Sequence, residues 1–248
     1  MPSVFLSPST QEYNMYYDGS GSEEYYMNLI TDFMEPYLNA SGIEFTRNDP
    51  NQTVGGSVRQ SNAGNYDFHL ALHSNAAGSA RYGQQRGSDV YYYSGSEQGR
   101  RAAELAVEQL KTIYPNPERV RALPTTSLYE LNNTIAPAIL VEVAYHDNPE
   151  DAEWIKNNLT NIARVLSQAT AEYLGVRFAE PSAPQTGTVV TQGGRLNIRS
   201  SPSMQGSIIA QIPNGQTVEI LSAEGEWYNI RYNSTEGYVF GQYIIVQG

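Results

Sequence analysis

Cysteine is absent from this chain. Disulfides, thiolate metal sites and a cysteine nucleophile are therefore excluded. Basic residues are scarce: 15 Lys and Arg stand against 26 Asp and Glu, giving a net charge of −11. That balance argues against nonspecific binding to nucleic acid or to anionic lipid. No stretch approaches the roughly 20 apolar residues of a membrane span. The N-terminus, Met1-Pro2-Ser3-Val4-Phe5-Leu6-Ser7-Pro8, has neither a basic n-region nor a long apolar h-region, and does not read as a signal peptide. Histidine is limited to His69, His73 and His146, so any imidazole chemistry must come from these 3 residues.

What is present is enough for more than one domain. Of 248 residues, 40% are hydrophobic, and the 19 tyrosines offer flat faces with a hydroxyl, suited to polysaccharide or peptide surfaces as well as to cores. The organising stretch is Asp67–Asn75. Its apolar residues Phe68, Leu70, Ala71 and Leu72 read as a strand buried in an α/β sheet. Ligands bind beyond the carboxyl ends of strands in such sheets, which makes His73 a candidate site residue. The alternative is a hydrogen-bonded structural histidine.

Around this strand the periodicities predict strands at Ser3–Leu6, Ile43–Thr46, Ser88–Tyr93 and Ala138–Val143. Helices are expected at Glu23–Asn39, Val54–Asn62 and Glu97–Tyr114, with one long helix over Asp151–Gly175. Ser22 is the expected cap of the first. Pro124–Leu131 reads as a helix cap followed by a helix. The result is a layered α/β domain with a central, mostly parallel sheet and helices on both faces. Composition changes at Ala179, where Ala-Glu-Pro-Ser-Ala-Pro-Gln-Thr-Gly reads as a linker. Short strands follow at Thr188–Thr191, Leu196–Arg199, Ile208–Ile212, Thr217–Ser222, Trp227–Tyr232 and Glu236–Phe240, a small all-β barrel. The expected division is 1–178, a linker at 179–187, and 188–248.

Several motifs in order carry a family resemblance. They are Glu24 with Asn28, Thr46-Arg47, Arg59 with Asn62, Leu72-His73-Ser74-Asn75, Gly87–Tyr93, and Leu140-Val141-Glu142-Val143-Ala144-Tyr145-His146-Asp147-Asn148. In that order and spacing, the first part resembles the zinc-dependent N-acetylmuramoyl-L-alanine amidases of the Rossmann-like type. The last 60 or so residues resemble a bacterial SH3 domain, through Leu196-Asn197-Ile198-Arg199-Ser200-Ser201-Pro202, Ile212-Pro213-Asn214-Gly215 and Trp227-Tyr228-Asn229-Ile230. The resemblance implies a hydrolase tethered to its insoluble substrate, peptidoglycan, which raises effective concentration.

It also implies roles. Zn²⁺ would polarise the scissile carbonyl and activate a water, held by three protein ligands. Glu24 and His73 are the implied ligands, and Glu142 the implied general base. Glu142 must sit at the strand end, face the site or be ion-paired, since an unpaired carboxylate inside an apolar strand is costly. Substrate contacts are implied at Asn75 and Leu128. The family's first ligand, a histidine directly after the first strand, is missing: the turn reads Ser7-Pro8-Ser9-Thr10-Gln11. His146 is the candidate replacement, with Gln11 as the alternative and Glu12 behind it; His146 could equally be a loop residue bonded to Asp147 or water. His69 stands about 13 Å from His73 along the strand, so both cannot hold one ion, and His69 is expected to be structural. The expected protein is a monomer acting at the cell wall or outside the cell, reached by lysis or a non-standard export route. The competing expectation is an inactive amidase-like protein that binds wall fragments.

Overall fold

The computed structural model describes residues 1–181 and 185–247. Residues 182–184 of the expected linker, and Gly248, lie outside the described residues. In chain order the elements of the first unit are β1 (Ser3–Pro8), α1 (Glu23–Ala40), β2 (Glu44–Arg47), α2 (Val54–Ala63), β3 (Phe68–Asn75), β4 (Ser88–Tyr93), α3 (Glu97–Lys111), β5 (Val120–Thr125), α4 (Tyr129–Asn133), β6 (Ala138–Tyr145), α5 (Pro149–Asn157) and α6 (Leu159–Leu174). The sheet order is β2-β1-β3-β6-β4-β5. Strands β2, β1, β3 and β6 run parallel, whereas β4 is antiparallel to β6 and parallel to β5. The sheet is thus mixed at one side, and the carboxyl ends of β1, β3 and β6 share one edge.

Alternation along the strands sorts the two faces. Val4 and Leu6 of β1, Phe68, Leu70 and Leu72 of β3, and Ile139, Val141 and Val143 of β6 belong to the main core. Helices α1, α3 and α6 pack with them, and α1 and α3 each lie against α6. The opposite face carries a smaller apolar cluster of Ala71, Ala138, Leu140 and Leu131, with Tyr91 and Leu128 beside it. The polar chemistry described below lies on that second face.

Within the first unit, two elements differ from expectation. The long helix over 151–175 is two helices, because Asn158 leaves helical geometry at φ −128° and its side-chain amide donates to the Trp154 carbonyl at 2.9 Å. Strand β5 was not legible as a strand: it pairs only with β4, and an edge position tolerates its Pro124.

The second unit is an antiparallel sheet of β7 (Gln185–Val189), β8 (Arg195–Arg199), β9 (Ile208–Pro213), β10 (Thr217–Glu224), β11 (Trp227–Tyr232), β12 (Thr235–Phe240) and β13 (Ile244–Gln247). Strand β7 begins at Gln185, inside the stretch expected to be linker, because residues 185–188 pair with β10 and 186–189 with β13. The two units touch. Phe33 of α1 meets Tyr228 edge-on at 5.5 Å, the Gln185 amide donates to the Asp32 carbonyl at 3.2 Å, and the Gly225 N–H donates to the Lys156 carbonyl at 2.7 Å.

Candidate active site at the sheet's carboxyl edge

On β3, residues 69, 71 and 73 point to one face, with His73 near the carboxyl end. Its register partner on β6 is Glu142, and Glu142 faces Asp89 of β4 on the other side. A cleft of about 680 Å³ opens over them, lined by Gln11, Glu24, His73, Leu128, Glu130 and Glu142 among others.

His73 is held between two carboxylates. Its Nδ1 lies 2.8 Å from Oε1 of Glu23, and its Nε2 faces Oε2 of Glu130 at 3.7 Å. The latter is an ion pair longer than an ordinary hydrogen bond. Glu130 is anchored from behind: its Oε1 accepts from the Ser7 hydroxyl at 2.5 Å and meets His69 Nε2 at 3.0 Å, while His69 Nδ1 bonds Ser61 at 2.9 Å. His69 is therefore a buried structural histidine that also orients Glu130.

Two helices deliver these carboxylates, and local sequence explains how. Ser22 caps α1, accepting from the Tyr25 N–H at 3.1 Å, so Glu23 opens the helix at the positive end of its dipole. Arg47, at the end of β2, clamps α1 through Asp32, through Glu35 at 3.0 Å and through Asn28 Oδ1 at 2.7 Å. Asn62 of α2 ties down the α4 segment, donating to the Asn133 carbonyl at 2.7 Å and accepting from the Ile135 N–H at 2.8 Å. Arg47, Asn28 and Asn62 thus hold the frame of the site.

The electrostatics follow from burial and neighbours. Burial pulls His73 down, but Glu130, Glu23 and Glu142 outweigh it and raise its pKa to about 10. Burial raises Glu23 and Glu130, yet their histidine partners hold both below the usual carboxylate range. Burial pushes Glu142 up to about 7, with His73 opposing and Glu23 and Asp89 assisting. Its Oε2 is buried and has no hydrogen-bond partner among the described residues.

The expected site residues are placed as follows in the fold. Glu23, not Glu24, faces His73; Glu24 lines the cleft one helix position away, raised by burial and by Glu12. His146 does not join the cluster. It is buried behind β3, its Nδ1 sits 2.8 Å from the Ser74 carbonyl, and its ring stacks on Tyr16 at 5.3 Å. Asn75 does not line the cleft; its carbonyl accepts the His146 N–H at 2.8 Å. Leu128 does line it. Sequence reasoning missed Glu23 and Glu130. The first could have been found as the other half of the Glu23-Glu24 pair; the second left no signal beyond being an acid in a short helix.

The implied zinc can be tested on the donors. Glu24, His73 and His146 do not converge, and among the described residues no group of three or more His, Cys, Asp or Glu is placed to hold a metal. Of the remaining candidates, Glu12 lines the cleft and Gln11 approaches the cluster, the Gln11 Nε2 lying 3.2 Å from Glu23 Oε1 and 3.5 Å from His73 Nδ1. What it presents is an NH₂ group, which has no lone pair for a metal. The residues as arranged do not fit zinc.

The second unit has its own groove, of about 830 Å³, lined by Arg195, Asn197, Arg199, Trp227, Phe240 and Tyr243 among others. Trp227 and Phe240 meet edge-on at 5.4 Å.

Comparison with known proteins places both units. A family model described as N-acetylmuramoyl-L-alanine amidase matches residues 14–172, and one described as bacterial SH3 domain matches 194–245. The N-acetylmuramoyl-L-alanine amidase LytC of Bacillus subtilis (strain 168) is 26% identical over 179 residues, covering 68% of this chain and 35% of LytC. Bacteriocin BCN5 of Clostridium perfringens is 36% identical over 72 residues, 29% of this chain and 8% of the bacteriocin. The chain therefore spans only a minor part of the length of these relatives. Among solved structures, the CwlD amidase of Clostridioides difficile, in complex with the GerS lipoprotein, has a TM-score of 0.62 at 15% identity, over 71% of this chain and 99% of that one.

Proposed function

The chain belongs to the N-acetylmuramoyl-L-alanine amidase family, and from that premise we propose that it hydrolyses the amide joining the lactyl group of N-acetylmuramic acid to L-alanine in peptidoglycan. Residues 1–178 would do the chemistry. Residues 185–247 would bind wall polymer through the aromatic groove around Trp227, Phe240 and Tyr243. The place of action is then the cell wall.

The observation that carries this reading is the Glu142 carboxylate, which lines the cleft beside His73 with one oxygen unpaired among the described residues. A carboxylate poised at about 7 suits a general base at neutral pH. Glu142 takes a proton from a water in the cleft as that water attacks the carbonyl carbon. The Nε2–H of His73, only loosely engaged by Glu130 at 3.7 Å, would turn to the carbonyl oxygen and stabilise the charge that develops there. As the C–N bond breaks, Glu142 returns the proton to the leaving amino group of L-alanine. Family members are generally zinc-dependent; the donors in this chain do not fit the ion, so no step is assigned to it.

Tyr13, Val54 and Tyr129 are exposed on the cleft rim and offer apolar surface to the sugar and stem peptide. The test is release of free N-terminal alanine from purified cell walls by the full chain. Release that Glu142→Gln abolishes supports the hydrolase. Binding to walls without release supports the competing reading of an inactive, fragment-binding protein, for which the Gln11-filled centre is the favouring observation.

A further inference from the structure

Three polar atoms from three separate segments meet at the head of α1. Glu23 Oε1, His73 Nδ1 and Gln11 Nε2 form a triangle with edges of 2.8, 3.2 and 3.5 Å. Ligand atoms about 2.1 Å from a tetrahedral zinc stand about 3.4 Å from one another. The triangle has the dimensions of one face of such a site, but its third corner is a hydrogen-bond donor.

That corner is locked. Asn14 Nδ2 donates to Gln11 Oε1 at 3.0 Å and to Glu23 Oε2 at 3.0 Å. Turning the Gln11 amide over would set its NH₂ against that of Asn14. Turning Asn14 as well would set its oxygen against the Glu23 carboxylate. An ionised carboxylate can only accept, so the Glu23 end fixes both amides and keeps the Gln11 oxygen facing away from His73. Asn14 also holds the turn at the backbone, where its carbonyl accepts the Glu23 N–H at 2.8 Å. A lone pair directed at a metal is therefore lacking at the position where the triangle would need it.

We infer that Gln11, locked by Asn14, stands where the family has its missing metal ligand and presents no lone pair there, so that this centre keeps the shape of a zinc site and works without zinc. The inference rests on the amidase reading for its chemistry, but metal binding is measured apart from activity. The purified full chain, stripped with chelator, is titrated with zinc alone by calorimetry, and its melting is followed with and without zinc. The wild type should show no saturable one-to-one site and no change in Tm, and any alanine release should survive chelation. Gln11→His and Gln11→Glu replace the NH₂ with a lone pair. Each should bind one zinc at least about a hundredfold tighter than wild type, with Tm rising by about 5–10 °C at zinc a hundredfold above Kd. Asn14→Ala frees the Gln11 amide to turn its oxygen inward and should raise zinc affinity about tenfold. Micromolar one-to-one binding by the wild type overturns the inference, and so does failure of all three folded variants to gain affinity. Absence of alanine release in every assay overturns the amidase reading instead, and leaves the binding results to stand alone.

Discussion

Glu142 lies beside His73 across the β3–β6 pairing, with one buried carboxylate oxygen that has no hydrogen-bond partner among the described residues. Glu142→Gln keeps the shape and loses the proton acceptor, and should lower alanine release by about a thousandfold. Stability should move the other way. The folded fold favours the neutral acid, whose pKa is raised from 4.5 to about 7. Glu142 therefore weakens folding increasingly as pH climbs from about 4.5 through 7. The variant should be more stable than the parent at pH 8 by up to about 3 kcal/mol, with the difference closing near pH 4. Urea denaturation at the two pH values measures this, and activity within a few-fold of the parent removes Glu142 from the base role.

The same two groups set the pH dependence of turnover. Glu142 must be ionised and His73 protonated. The profile of kcat/KM should rise through about pH 7 and fall toward pH 10, following their values of about 7 and about 10. An acid limb near pH 4.5 would assign the base to an ordinary exposed carboxylate.

Glu130 is the keystone of the buried cluster. Glu130→Gln takes the carboxylate from His69 and leaves His73 with Glu23 alone, and should destabilise the fold by about 3 kcal/mol at pH 7. The parent carboxyl is held low in the folded state, so its stabilisation is present above about pH 4.5 and fades as pH falls into the acid range. The gap between parent and variant should shrink accordingly below pH 4.5 in denaturant titrations.

The contact between the two units has a measurable consequence. A linker without apolar periodicity suggests two independent pieces, yet Phe33 of α1 packs on the buried Tyr228 of β11. Tyr228→Ala should lower stability by about 3–5 kcal/mol. Calorimetry of the intact chain should show one cooperative transition that Tyr228→Ala splits or broadens; two separate transitions in the parent would mean that the units unfold independently.

Much of the site could be read in the chain before any folding. The run Ala138–Val143 puts Glu142 toward the carboxyl end of a buried strand, and the polar Ser74-Asn75 after Leu72 marks where β3 leaves the core. The capping serine at 22 announces a helix that begins with two acids. Such features are local, since they depend on the period of the backbone and on which residues satisfy its ends.

What the chain could not disclose is which side chains meet. Glu23 and Glu24 are chemically alike and about 100° apart around the helix, so only the seating of α1 on β3 decides which carboxylate reaches His73. His146 follows Glu142 by four residues, and the register of β6 against β3 sends it behind the sheet to Ser74 rather than into the cleft. Glu130 is distant in sequence from His69 and His73, and Gln11 from both, so no periodicity links them. The sequence by itself determined the family, most of the elements, and the placing of His73 and Glu142 near the carboxyl ends of their strands. The tertiary structure alone decided that His73 is gripped by Glu23 and Glu130 with Gln11 at its side, because buried charges must find partners across the fold, and those partners are set by how whole elements pack.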